Sequence, residues 1–198
     1  MRKAKIAVLV SGGGTNLQAL LDAQEAGFLQ SGEIRLVISN NPDAYALKRA
    51  ERAGVRHLVL IGRDFEARLE NILRGAGIDL VILAGFMRIL SADFTARWPN
   101  RILNVHPALI PSFCGKGFYG LRVHEAALER GVKITGATVH FVNEIPDGGE
   151  IILQKAVAVL PDDTPETLQR RVMEEAEWVL LPEAVNRIAH GKLPAVSV

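Results

Sequence analysis

Asn104-Val105-His106-Pro107 places two polar side chains two residues apart at the end of an apolar run. In an extended strand such residues point to the same side. A carboxamide N–H beside an imidazole can stabilise negative charge building on a carbonyl oxygen while the histidine moves a proton, which suits acyl transfer. The same pair could instead satisfy backbone groups at a strand end, and the segment alone leaves both readings open. Glu144-Ile145-Pro146-Asp147-Gly148-Gly149 reads as a turn, and an aspartate before two glycines can be there for backbone reasons only. If Asp147 comes near His106, its carboxylate favours the imidazolium and raises the histidine pKa.

Ser11-Gly12-Gly13-Gly14-Thr15-Asn16 lies between an apolar run and a helical pattern, where backbone amides and a helix N-terminus can hold a phosphate. A dinucleotide fingerprint needs glycine where Leu17 stands and an acidic residue where Ser39, Asn40 and Asn41 stand. A Walker A loop needs Gly-Lys-Ser/Thr, and Gly14-Thr15-Asn16 is not that. The alternative is a tight strand-to-helix turn with Thr15 or Asn16 capping the helix.

Gly85-Phe86-Met87-Arg88-Ile89-Leu90 surrounds one arginine with apolar residues and could line a groove for a flat heterocycle, or be core. His140 falls within a strand pattern and reads as structural; His57 and His190 carry no motif. No metal cluster of suitable spacing is visible. Cys114 is the only cysteine, which excludes an intrachain disulfide and fits a reducing compartment without giving the thiol a redox role.

The elements that must position these residues follow from hydrophobic pattern. Residues 6–10 read as a first strand; basic residues precede them, but the run is too short for a secretion signal. A helix over 16–26 shows an apolar face at Leu17, Leu20 and Leu21. Strands are expected over 34–39, 57–61 and 79–84, with helices over 45–53 and 65–74 ending at glycines. Residues 102–105 form a central strand, 124–130 a helix, 135–142 and 151–159 strands. A closing helix over 165–190 is expected to be interrupted at Pro182, with 194–198 fraying. Alternating strands and helices imply one α/β domain over 1–198: an open, mostly parallel sheet flanked by helices, with an antiparallel strand pair in the second half. The hydrophobic fraction of 48% and net charge of +1 fit a soluble chain without a field for nucleic acid or anionic membrane. No apolar stretch is long enough to span a bilayer, so a cytoplasmic location is expected.

Taken together these segments resemble the phosphoribosylglycinamide formyltransferase family, over nearly the whole chain. The resemblance rests on residues 11–18, on Leu83-Ala84-Gly85-Phe86-Met87-Arg88-Ile89-Leu90, on Asn104-Val105-His106-Pro107, on 136–142, and on Asp147-Gly148-Gly149 with Ile151-Ile152-Leu153-Gln154. It implies a Rossmann-like formyltransferase fold, with an acceptor-binding half over about 1–100 and a folate-binding and catalytic half over about 101–198. It implies a monomer or homodimer that moves a formyl group from 10-formyltetrahydrofolate, as co-substrate, to phosphoribosylglycinamide, without a metal. Asn104 then polarises the formyl carbonyl, His106 is the general acid and Asp147 tunes it. The acceptor phosphate falls to Gly14, Thr15 and Asn16. The pterin lies against Met87, Arg88, Ile89 and Leu90 and the segment before Asp147, and Arg63 is the candidate for the folate tail. Glu177 matches a helical glutamate that contacts the acceptor, although Trp178 replaces the usual neighbouring histidine and one residue is extra between Arg171 and Glu177. Residues 112–120 match a loop near the acceptor site, after a cis bond at Ile110.

Methionyl-tRNA formyltransferase and formyltetrahydrofolate deformylase share the Asn-x-His-Pro logic, but the first carries a further RNA-binding domain and the second a regulatory one. A non-catalytic phosphosugar-binding module is the reading from another class; Asn104, His106 and Asp147 together argue against it.

Overall fold

Short apolar runs without polar alternation need cover on both faces, and the sheet is built from them. The computed structural model describes residues 2–191. Its strands are β1 (Ala4–Val10), β2 (Gly32–Ser39), β3 (His57–Val59), β4 (Leu80–Leu83), β5 (Ile102–His106), β6 (Ile134–Phe141) and β7 (Ile151–Ala158). They form one sheet in the order β3-β2-β1-β4-β5-β6-β7. The first five are parallel; β6 runs antiparallel to β5, and β7 antiparallel to β6. The expected mixed α/β sheet is borne out.

Helices cover both faces: α1 (Thr15–Glu25), α2 (Tyr45–Arg52), α3 (Phe65–Gly75), α4 (Ala92–Ala96), α5 (Leu121–Arg130), α6 (Pro165–Val172) and α7 (Trp178–Ala189). β1 shows how the layers divide. Ile6, Val8 and Val10 pack with Leu17 and Leu20 of α1 and Leu181 and Val185 of α7, while Ala7 and Leu9 pack with Phe65, Leu69 and Leu73 of α3. Period-two alternation along the strand thus meets period-3.6 faces on both sides.

Three expectations change. The third strand stops at Val59 rather than 61. The short α4 was not anticipated; Ser91 caps it by accepting from Phe94 N at 3.2 Å. The closing helix is not broken at Pro182, which lies inside α7; the irregularity is a π-turn over Met173–Glu177. A proline removes one ladder hydrogen bond, and the burial of Leu180, Leu181, Ala184 and Val185 outweighs that loss. The expected fraying of 194–198 lies outside the described residues.

Strand order fixes where chemistry can gather. From β1 the chain leaves to β2 on one side and returns to β4 on the other, opening a crevice beyond the carboxyl ends of both strands. The glycine loop follows β1, the Gly85 to Leu90 segment follows β4, and Asn104 and His106 end β5.

Candidate active site

Register brings the polar residues of β5 and β6 together. Asn104 pairs with His140 and His106 with Thr138 across the antiparallel ladder. Asn104 Nδ2 lies 3.2 Å from His140 Nε2. His140 Nδ1 lies 2.7 Å from the Phe141 carbonyl, which only accepts, so Nδ1 carries a proton. Asp147 sits between the two histidines: Oδ2 is 3.5 Å from His106 Nδ1 and Oδ1 is 3.5 Å from His140 Nε2. The Gly115 N–H donates to Asp147 Oδ2 at 2.8 Å.

The turn around Asp147 explains its glycines. Asp147 itself has φ +55°, a left-handed conformation that short polar side chains tolerate best. A Cβ on Gly149 would stand 1.8 Å from the Phe141 carbonyl oxygen, so only glycine lets the chain pass this close to β6. Backbone necessity and the placing of the carboxylate are therefore one feature.

His106 Nε2 donates to the Phe113 carbonyl at 2.8 Å, and Phe113 belongs to the loop over 112–120. Ile110-Pro111 is cis, and Thr138 Oγ1 accepts from Ile110 N at 3.1 Å while donating to Ala108 O at 2.7 Å. The segment leaving β5 is thus tied to β6. Burial pulls the His106 pKa down; the Asp147 carboxylate and Phe113 carbonyl push it up, His140 pulls it down again, and the net position is below the ordinary value. This reverses the expected rise, because desolvation outweighs the carboxylate. For Asp147 burial pushes upward, but His140, His106 and the Gly115 N–H together hold the carboxyl below its usual range.

The glycine loop ends at Gly14, the α1 N-cap, with φ +73° and no side-chain cap. Neither Thr15 nor Asn16 caps the helix, unlike the bland alternative. The N–H groups of Thr15, Asn16 and Leu17 have no intrahelical acceptor by helix geometry, which suits an anion. Arg49 Nε donates to Gly13 O at 2.8 Å, holding the loop from α2. Asn16 turns instead to Glu177: its Nδ2 donates to Glu177 Oε2 at 2.7 Å. Burial pushes the Glu177 pKa up to about 7, against the lowering effect of Asn16. Glu177 closes the π-turn over Met173–Glu177, and its carboxyl meets Asn16 of α1 there. Trp178 lines a recess of about 320 Å³ with Thr15, Gln18, Ala19, Asp22 and Arg49, and its Nε1 is buried without a partner.

Met87 and Ile89 are 56% and 72% exposed, as an apolar wall for a ligand requires, whereas the Leu90 side chain is core. Met87 N donates to Ser11 Oγ at 2.8 Å, joining this segment to the glycine loop. The Arg88 guanidinium lies 4.5 Å from the Phe65 ring centroid and donates to Gly62 O at 3.4 Å. Arg63 is exposed beside that glycine. These exposed apolar residues with a cation beside them fit a flat heterocycle with an anionic tail.

The family described as formyl transferase matches residues 4–185. The chain belongs to the formyl transferase family. It is 40% identical to a phosphoribosylglycinamide formyltransferase of Haemophilus influenzae, over 96% of this chain and 89% of that protein. It is 45% identical to the human trifunctional purine biosynthetic protein adenosine-3 over 96% of this chain, but spans only 19% of that relative's length. Its share of the trifunctional Drosophila melanogaster relative is 14%. The structure of glycinamide ribonucleotide transformylase 1 from Symbiobacterium toebii superposes with a TM-score of 0.90 at 46% identity, covering 98% of this chain and 92% of that one.

Within this member of the formyl transferase family, sequence reasoning missed His140, whose place opposite Asn104 depends on strand pairing. It also missed the Phe113 carbonyl and Gly115 N–H, since backbone groups leave no mark in a sequence. His124 on α5 is fully buried, neither ring nitrogen has a hydrogen-bond partner, and burial followed by the proximity of His106 lowers its pKa to about 4. Among the described residues no group of three or more His, Cys, Asp or Glu could hold a metal ion, and no helix is long and apolar enough to cross a membrane.

Proposed function

We propose that this chain transfers the formyl group of 10-formyltetrahydrofolate to the amine of N1-(5-phospho-D-ribosyl)glycinamide, releasing tetrahydrofolate and the N-formyl product in purine biosynthesis. The observation that carries the reading is the Asp147 carboxylate set between His106 and His140, with Asn104 beside them at the end of β5. Oxyanion donor, proton carrier and fixed negative charge are the parts a direct acyl transfer to an amine needs.

The acceptor phosphate sits on the first-turn amides after Gly14, at Thr15 and Asn16, and Glu177 contacts the acceptor beside Asn16. Met87, Arg88, Ile89 and the Leu90 backbone hold the heterocycle of the donor, and Arg63 takes its anionic tail. As the amine attacks the formyl carbon, Asn104 Nδ2–H and the His106 N–H stabilise the carbonyl oxygen. Burial keeps His106 mostly neutral at rest, and the Asp147 carboxylate stabilises the imidazolium once it forms. The amine loses one proton and the leaving nitrogen gains one, so His106 is charged only in between. The Nε2 proton now held by the Phe113 carbonyl is the one available to a substrate atom that replaces this carbonyl. We assign the reaction to the cytoplasm and to a monomer or homodimer, with small-molecule partners only.

A spectrophotometric assay with 10-formyltetrahydrofolate, with and without glycinamide ribonucleotide, tests the reading against an Asp147→Asn variant. Acceptor-dependent loss of the formyl group, nearly abolished in the variant, supports the transferase. Acceptor-independent loss assigns a deformylase, and no loss a binding module.

A further inference from the structure

His140 packs into the sheet with 1% of its surface exposed, yet its Nε2 lies 3.2 Å from Asn104 Nδ2 and 3.5 Å from Asp147 Oδ1. Its two nitrogens have different duties. Nδ1 is spent on the Phe141 carbonyl at 2.7 Å and must be the protonated nitrogen. In the neutral ring Nε2 is then bare and can only accept. Asn104 Nδ2, at 3.2 Å, is the closer partner; Asp147 Oδ1, at 3.5 Å, can accept from Nε2 only in the doubly protonated ring, the form in which His140 helps to hold the Asp147 carboxyl low.

A carboxamide has two ends of similar shape and opposite polarity, so its orientation must be set by a neighbour. We infer that His140 is a positioning residue that locks the Asn104 carboxamide, through its bare Nε2, with the amide nitrogen on the His140 side and the second Nδ2–H free for the substrate carbonyl. A proton on Nε2 would reverse the arrangement: the ring would donate, Asn104 would turn Oδ1 toward it, and an acceptor would take part of the donor's place. The cross-strand pairing of Asn104 with His140 holds the ring in place, and the Phe141 carbonyl fixes its tautomer. The role rests on the transferase reading for its purpose, but the lock is a property of the unliganded protein.

Histidine-selective two-bond ¹H–¹⁵N correlation on the unmodified protein reads the tautomer directly, the His140 signals being assigned by their loss in His140→Gln. An unprotonated Nε2 and protonated Nδ1 are expected; a proton on Nε2 of the neutral ring overturns the lock whatever the kinetics. Turnover of two variants gives the second readout. Glutamine places a polar atom where Nε2 stands, whereas asparagine reaches only the Nδ1 position. His140→Gln is expected to keep kcat within about threefold, and His140→Asn to lose about tenfold with the acceptor KM little changed, as for one ordinary hydrogen bond. Equal kcat in the two variants contradicts the lock. Lack of acceptor-dependent turnover in the unmodified protein removes the transferase reading and leaves the tautomer to decide the lock by itself.

Discussion

Asn16 at the start of α1 donates to the Glu177 carboxyl at 2.7 Å, joining residues 161 positions apart where the glycine loop meets the last two helices. The carboxyl is fully buried, and its protonation is therefore a term in stability.

Its folded pKa of about 7 lies above the ordinary 4.5, so between these values the folded chain binds the proton more tightly than the unfolded one. The associated stability is fully present below about 4.5 and is lost as pH rises through about 7, a change of about 3 kcal/mol. Glu177→Gln is expected to melt higher than the unmodified protein at alkaline pH, with the difference shrinking on acidification. Parallel melting curves of the two proteins across that range would contradict a buried, raised carboxyl.

Asp147→Asn removes the influence that most opposes the burial of His106. The His106 titration, followed by NMR, should move to lower pH in the variant, and turnover should nearly vanish. An unchanged titration midpoint would mean that the His106 ring does not feel the Asp147 charge.

Asn104→Ala deletes the proposed oxyanion donor and leaves the glycine loop untouched. A fall in kcat of roughly 10²-fold to 10³-fold is expected, with a smaller change in acceptor KM. If KM rises instead while kcat holds, Asn104 binds the ground state and does not act on the developing charge.

Gly14→Ala tests the loop. A Cβ there would stand 2.6 Å from Ala46 Cβ and 2.9 Å from Ala46 Cα, on a backbone with φ +73°. The α1 N-terminus must then move away from α2, at a cost of about 1–3 kcal/mol. Acceptor KM should rise more than the donor KM; equal effects on both would place the acceptor phosphate elsewhere.

The sheet and the loop after β1 were legible because glycines and uninterrupted apolar runs are local signals. Asn104 and His106 were legible for the same reason: two residues apart on a strand means one face. His140 was not, because its partner is set by a strand register between segments over thirty residues apart, and an isolated histidine in an apolar strand gives no hint of what lies opposite. The sign of the His106 shift also escaped, since a sequence reveals a nearby carboxylate more readily than the depth at which both groups are buried. Pro182 misled in the other direction: a local helix-breaking rule pointed to a kink, while tertiary packing carried the helix through.

The π-turn before Trp178 makes this junction tolerant of a change in chain length. It holds one residue more per turn than the α-helices on either side, and Glu177 at its end still meets Asn16. Losing that residue would close the turn to ordinary α-helix without rotating Glu177 away from Asn16. Loss of a single codon here is thus expected to be nearly silent for the contact between Glu177 and Asn16, while the same event between Asn104 and His106 would turn one of them to the opposite face of the sheet.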